Sequence, residues 1–284
     1  MNTDKSFLQN THIYPYFVVL CFCLFSACSP KNGPYAITNK VYAHQADSFA
    51  HVITLQQPAV LIDSSGMAVP SDWVGTVNVN MRKPNFVIIH YTAQDSAKQT
   101  LKTFTVVNSQ VSAHYVIGKD GKIYHMVNDY LRAWHAGLSK WGHITDMNSC
   151  SIGIELDNNG SEPFAPEQMK NLLILLERLK RAYSIPTANF IGHEDIAPLR
   201  KPDPGIYFPW KLMAEHGFGY WSDDVLELAP ENFDIVQAMR IIGYDTADLN
   251  SAITAFKRHF VQTDAMPVLT QLDLNILYNI YQKY

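Results

Sequence analysis

Asn85-Phe86-Val87-Ile88-Ile89-His90-Tyr91-Thr92 sets the fold class, because Phe86 to Ile89 is an unbroken apolar run that closes on a histidine. A strand apolar at every position is buried on both faces, the habit of central strands in α/β sheets. About a hundred residues later, Asn189 to Ile191 leads into Gly192-His193-Glu194-Asp195-Ile196-Ala197-Pro198-Leu199-Arg200-Lys201-Pro202-Asp203-Pro204. His90 and His193 are both read at the C-terminal ends of strands, where side chains reach the rim of a sheet. Asp203 follows ten residues after His193, on a loop stiffened by Pro202 and Pro204. Two imidazoles and one carboxylate make an open three-ligand site of the kind that holds zinc and leaves a fourth position for water. A lone strand-end histidine is more often a hydrogen-bonded structural residue. The ligand reading therefore requires the two strands to be near neighbours.

The remaining pattern interleaves strands and helices. Leu101, Phe104 and Val107 lie at helical spacing within residues 95–108. Ser112 to Ile117 and Lys122 to Val127 flank Gly118-Lys119-Asp120-Gly121, a hairpin signal. Ser151 to Leu156 reads as another short strand. Pro166 opens a helix whose apolar face is Met169, Leu172, Leu173, Leu176, Leu179 and Tyr183, and Ile185-Pro186 stops it. The expected core is a mixed central sheet flanked by helices, over residues 36–221. A short helix near Val41 to Leu55 falls in its first part. After Trp221 the pattern becomes helical, with Val236, Met239 and Ile242, then Ile253, Phe256 and Phe260, then Leu269, Leu272, Ile276 and Ile280. Residues 222–284 are accordingly expected to form a small three-helix module, either separate or a lid on the core.

At 284 residues, with 47% hydrophobic and 17% charged residues, the chain suits a folded globular protein. Its net charge of −4 argues against a nucleic-acid partner. Tyr14 to Ala27 is an apolar run too short for an ordinary membrane span but suited to a signal-peptide core. It ends in Phe25-Ser26-Ala27-Cys28, which resembles the lipobox of bacterial lipoproteins, so Cys28 is the expected lipidation site. A plain signal peptide cut after Ala27, or an uncleaved anchor, are the alternatives. Residues 1–27 are thus read as a signal peptide and 28–35, rich in turn formers, as a tether. Cys150 alone remains in the body of the chain, so no internal disulfide is expected there.

Six motifs occur in a fixed order: His90-Tyr91-Thr92, Ser112-Ala113-His114-Tyr115, Trp134-His135-Ala136-Gly137, Ser151-Ile152-Gly153-Ile154-Glu155-Leu156, Gly192 to Pro198, and Arg200-Lys201-Pro202-Asp203-Pro204-Gly205. The set, over roughly residues 80–221, resembles the type 2 N-acetylmuramoyl-L-alanine amidases, which share a fold with peptidoglycan recognition proteins. The resemblance implies zinc ligands at His90, His193 and Asp203, a catalytic glutamate at Glu155 and an active-site lysine at Lys201. It implies cleavage of the amide between N-acetylmuramic (or anhydro-muramic) acid and L-alanine, in wall remodelling or recycling. Peptidoglycan or muropeptides would be the partners. The chemistry agrees: Glu155 would move the water proton to the departing amine, and Lys201 would stabilise the oxyanion.

His114, His125, His135 and His143 are possible ligands in principle. His114 is read as packed in a strand, His125 on the facing strand of the hairpin and His143 at the surface. His135 and Trp134 are read in a loop lining the cleft and contacting substrate. Asp195 is either a second layer behind the metal or a structural turn residue. Phage lysozyme-like members carry a tyrosine where this chain has Ala113, so that role passes to no residue here. Ala255 to Phe260 resembles the helical peptidoglycan-binding-like module of the lipoprotein branch. With lipidation, this places the site in the cell envelope, on a membrane anchor expected at the periplasmic side of the outer membrane. The runner-up is a non-catalytic peptidoglycan-binding protein, against which the presence of Asp203 counts.

Overall fold

The computed structural model describes residues 33–55, 61–69 and 78–284, with Ser71, Val74 and Thr76 between them. Cys28 and the expected signal segment lie outside the described residues. The chain divides into two compact units at residues 74 and 75. In the first, helix α1 (Ala36–Thr54) starts earlier than the apolar pattern indicated, and β1 (Leu61–Ile62) pairs antiparallel with β2 (Ala68–Val69). The turn between them is closed by the Asp63 carboxylate, which accepts from the backbone of Ser65 and Met67.

The second unit holds the central sheet. Its strands are β3 (Phe86–Tyr91), β4 (Tyr115–Ile117), β5 (Ile123–His125), β6 (Ser151–Leu156) and β7 (Phe190–Gly192), and α2 (Ala97–Phe104) follows β3. Their spatial order is β5-β4-β6-β3-β7. β3 pairs parallel with both β6 and β7, β4 pairs parallel with β6, and β4 and β5 form the antiparallel hairpin. β3 therefore lies inside the sheet, between β6 and β7, as its uniform apolarity required. The β4 strand is shorter than the sequence pattern: His114 falls just before it, its carbonyl receiving the Met126 N–H and its N–H donating to Gly153 O.

The period-two alternation of strands splits the interior into two cores. Val87, Ile89, Ile152, Ile154 and Leu156 point towards α3 (Pro166–Tyr183), which buries Leu172, Leu176 and Leu179 against them. Phe86 and Ile88 point the other way, with Ile191. There they meet α4 (His193–Ile196) and the C-terminal helices α6 (Ile235–Ile242), α7 (Leu249–Phe260) and α8 (Gln271–Tyr281). Between these stretches, α5 (Trp210–Glu215) packs Trp210 and Met213 into the α3 side. The helices have firm starts: Asp234, Asp248 and Thr270 each accept a backbone N–H at the N-terminus of α6, α7 and α8.

Residues 222–284 thus share a hydrophobic core with the sheet. Met239, Phe256 and Leu277, all fully buried, sit in one cluster with Ile88 and Ile191. Phe256→Ala is expected to cost about 3–5 kcal/mol. Denaturant unfolding should show one transition moved as a whole, with sheet and helices lost together. A separate early transition for the helices would refute that coupling.

Candidate metal centre and catalytic site

The register of the parallel strands builds the site. On β3 and β6 the Cα partners are Phe86 with Ser151, Ile88 with Gly153, and His90 with Glu155. In-register residues of parallel strands share a face, so Ser151, Gly153 and Glu155 line up beside His90 on the side that carries Ile88. Ile89 pairs with Gly192 on the other flank, which brings His193 beside the end of β3. His193 does not end a strand, as the sequence pattern suggested: it opens α4. The cause is Asp195, whose Oδ2 accepts the Gly192 N–H at 2.7 Å and starts the helical turn one residue early. Asp203 returns to the same point, and its carbonyl accepts the Glu194 N–H at 2.7 Å.

Three ligand atoms converge. His90 Nδ1 lies 2.9 Å from His193 Nδ1, and each lies 3.0 Å from Asp203 Oδ2. All three residues are buried. Ligands on a tetrahedral ion with ~2.0 Å bonds are separated by roughly 3.3 Å, close to this spacing.

The surrounding hydrogen bonds assign lone pairs to the inward faces. His193 Nε2 contacts the Ala136 carbonyl at 3.0 Å. A carbonyl only accepts, so this contact, shorter than the 3.3 Å approach of the Arg200 guanidinium to the same nitrogen, places the proton on Nε2 and leaves Nδ1 bare. For His90 the same logic runs through a longer chain. The Ser151 hydroxyl donates to the Met147 carbonyl, so its oxygen is left to accept from His135 Nε2 at 3.2 Å. His135 Nδ1 is then an acceptor, and His90 Nε2 lies 3.1 Å from it. Hence His90 also carries its proton on the outer nitrogen. Two bare nitrogens and a carboxylate oxygen held at about 3 Å repel unless a cation lies between them. The donor set fits a metal ion.

The Trp134 to Gly137 segment differs from its sequence reading. Trp134 is 52% exposed, but His135 is only 8% exposed and faces inward, behind His90 rather than along an open cleft. The physical reason is Gly153: a Cβ there would lie 2.3 Å from the His135 ring, so the missing side chain makes the room. Asn148 Oδ1 fixes the segment by accepting from the N–H groups of His135 and Ala136, at 3.0 and 2.9 Å. One segment thus backs both imidazoles, with a ring behind His90 and a carbonyl behind His193. Arg200 adds a donor to Ala136 O at 2.8 Å. The other histidines stay outside the cluster. His114 is buried against Gly153 N, Leu131 O and Arg82, whereas His125 and His143 are exposed.

Charge and burial poise the site. Burial, with the His193 ring adding to it, pushes the His90 imidazole down to about 4 against the pull of Asp203. Burial alone would raise the Asp203 carboxyl, but contacts with His193 and His90 outweigh it and hold it below the usual range. Glu155 goes the opposite way: burial and then the Asp203 carboxylate push it well above the ordinary glutamate range, with Lys201 opposing. Its Oε2 is buried and has no hydrogen-bond partner among the described residues. Lys201 is half-buried, and its backbone N–H is fixed to Ala197 O at 2.9 Å. Its charge acts on both Glu155 and His90.

The chain is similar to known proteins in both sequence and fold. Residues 80–206 match the family described as N-acetylmuramoyl-L-alanine amidase. The chain is 35% identical to the N-acetylmuramoyl-L-alanine amidase AmiD of Escherichia coli over 210 residues, 62% of this chain and 75% of that one. It is 39% identical to the 1,6-anhydro-N-acetylmuramyl-L-alanine amidase AmpD of Haemophilus influenzae over 107 residues, 37% of this chain and 58% of the relative. Among solved structures, the complex of Escherichia coli AmiD with anhydro-N-acetylmuramic acid-L-Ala-D-gamma-Glu-L-Lys superposes with a TM-score of 0.64 at 29% identity, covering 78% of this chain and 97% of that one. AmpDh3 from Pseudomonas aeruginosa gives 0.66 at 29% identity, covering 80% and 99%. The chain belongs to the N-acetylmuramoyl-L-alanine amidase family.

Proposed function

We propose that the chain is a zinc-dependent hydrolase of the amide between N-acetylmuramic or anhydro-muramic acid and L-alanine, acting on muropeptides derived from peptidoglycan. The observation that carries this reading is the convergence of His90 Nδ1, His193 Nδ1 and Asp203 Oδ2, with Glu155 in register beside His90. The three ligands would hold the ion, which supplies carbonyl polarisation and acidifies water towards ~7.

The protein groups then divide the work. Glu155 takes the proton of the attacking water at its unpartnered Oε2 and returns it to the departing nitrogen, turning a poor leaving group into a neutral amine. Its raised proton affinity suits both halves of that transfer. Lys201 places an ammonium charge beside Glu155 and His90, where the tetrahedral oxyanion develops. Such a donor is worth about 3–4 kcal/mol in related chemistry. Arg200 and the Ala136 carbonyl keep His193 from turning.

Muropeptide digestion read by mass spectrometry tests the reading. Wild type should release stem peptide beginning with L-alanine. Glu155→Gln and chelator-treated protein should not, and zinc should rescue only the latter. Lys201→Ala should lower kcat by roughly 100-fold or more with little change in KM. Intact activity in the stripped, folded protein would sink the zinc role.

Ser151→Ala removes the hydroxyl that sets the His135 and His90 tautomers, without touching the ion. It should weaken zinc binding by roughly 10-fold or more in a chelator competition. Unchanged affinity would contradict the relay.

Acid should also act on the metal-free fold. His90 and His114 are both held down to about 4, first by burial, against 6.5 in the unfolded chain. Between those values the unfolded chain binds more protons at these two sites, so their contribution is full above about 6.5 and is lost as pH drops towards 4, against the opposite slope of Glu155 and Glu194, whose buried carboxyls are held well above the ordinary range. Each histidine contributes a slope of up to about 1.4 kcal/mol per pH unit. Urea midpoints of metal-free wild type and His114→Gln at pH 7 and pH 5 would show it: the variant should lose less stability between the two pH values, and an equal loss would refute it.

A further inference from the structure

The segment that joins two metal ligands, His193 to Asp203, carries a carboxylate that nothing in the reaction uses. Asp195 is fully buried. Its Oδ2 accepts the Gly192 N–H, but that satisfies only part of its capacity. The remaining donors come from the C-terminal helices. Tyr244, just past α6, donates its hydroxyl to Oδ1 at 2.6 Å, and His259 of α7 donates Nδ1–H to Oδ2 at 2.8 Å. Both donors are themselves buried.

They are also fixed. The His259 ring stacks on Trp210, with centroids 3.8 Å apart and an interplanar angle of 12°. Tyr244 meets Trp141 edge-on at 5.1 Å, and the Gly142 N–H donates to Gly243 O at 2.7 Å. The far side of the segment is held from the same helices. Gln262, two residues past α7, donates its amide to the carbonyls of Ile206 and Phe208, a few residues beyond Asp203. The stretch bearing two of three ligands is gripped at both ends by residues from the last 41 positions of the chain, 244 to 284.

We propose that Tyr244 and His259 are positioning residues for the metal centre. They act through Asp195 to hold His193 in register with His90, which makes the C-terminal helices part of the active site's scaffold. The proposal rests on the reading of His90, His193 and Asp203 as metal ligands. Removing Tyr244 leaves the buried Oδ1 unpaired and removing His259 leaves Oδ2 with the Gly192 N–H alone, and the cheapest relief is rotation of α4, which carries His193 away from the other two ligands.

The test uses the full chain and zinc alone, with affinity read by chelator competition and melting temperature read with and without zinc. Tyr244→Phe and His259→Leu should each bind zinc roughly 10- to 100-fold more weakly. Their melting-temperature rise on adding zinc should shrink accordingly, because ligand stabilisation follows affinity. His259→Asn supplies the discriminating arm. An asparagine amide reaches the place of the imidazole Nδ1 but loses the stacking on Trp210. Zinc affinity close to wild type, despite a lower melting temperature without metal, would support positioning.

A role confined to stability would lower the melting temperature of all three variants equally with and without zinc, at unchanged affinity, and would overturn the proposal. His259→Asn as weak as His259→Leu would overturn it too. Wild type that binds no zinc would instead remove the metal reading itself, and the proposal with it.

Discussion

The pairing of His90 with Glu155 across two parallel strands is the constraint on which the site depends. Parallel ladders in register place both side chains on one face at one level, so a single hydrogen-bonding register settles the proposed metal ligand and the proposed proton carrier together. A slip of one residue would send Glu155 into the apolar core beneath α3 and bring Leu156 to the site. The neighbouring residues make such a slip costly. Ile152, Ile154 and Leu156 are all fully buried on the α3 side, while Ser151 and Gly153 face the histidines. The hydrophobic core thus pays for the precision of the polar face.

A second constraint follows from burying three ligands together. Imidazole presents either a proton or a lone pair inward, and only the lone pair is of use to a metal. The choice is made at the outer nitrogens, by groups that cannot change sides. A main-chain carbonyl decides for His193, and the Met147 carbonyl decides for His90 through Ser151 and His135. Oxygen acceptors of the backbone anchor both chains, so the assignment is rigid. That explains why a serine and a glycine, small residues with little packing value, occupy a central strand where larger apolar ones would stabilise more.

The strands around the two histidines, the hairpin at Gly118 to Gly121, the α3 face and the three final helices were legible from periodicity and turn residues. So were His90, His193 and Asp203 as residues that the fold brings together. Their ranges were less so, because tertiary contacts decide them: Asp195 turns His193 into a helix start, and β4 begins only after His114. The inward turn of His135 was missed. Its signal was present in Ser151-Ile152-Gly153-Ile154-Glu155, where small or polar residues alternate with isoleucine. That pattern marks one face of the strand as crowded by something other than core, but it does not say by what. The partners of Asp195 lie 49 and 64 residues away in sequence, and no local pattern announces them.

The placement of the C-terminal helices follows from the same alternation. His90 shares its face of β3 with Phe86 and Ile88, and those two residues must be covered because they are apolar and buried. The site itself must stay open at the strand ends. A cover is therefore needed that packs the lower part of the face and stops short of the ligands, and α6 to α8 meet that need. Having been drawn there by apolar contact, they end beside α4, where the Asp195 carboxylate would otherwise be buried with the Gly192 N–H as its one donor. Polar contacts from Tyr244 and His259 are the ones that cannot be replaced by more hydrophobic packing, since a carboxylate in that position is satisfied only by hydrogen bonds. The helices consequently do two things that pull in one direction: they close the core under the sheet, and they fix the turn from which His193 projects.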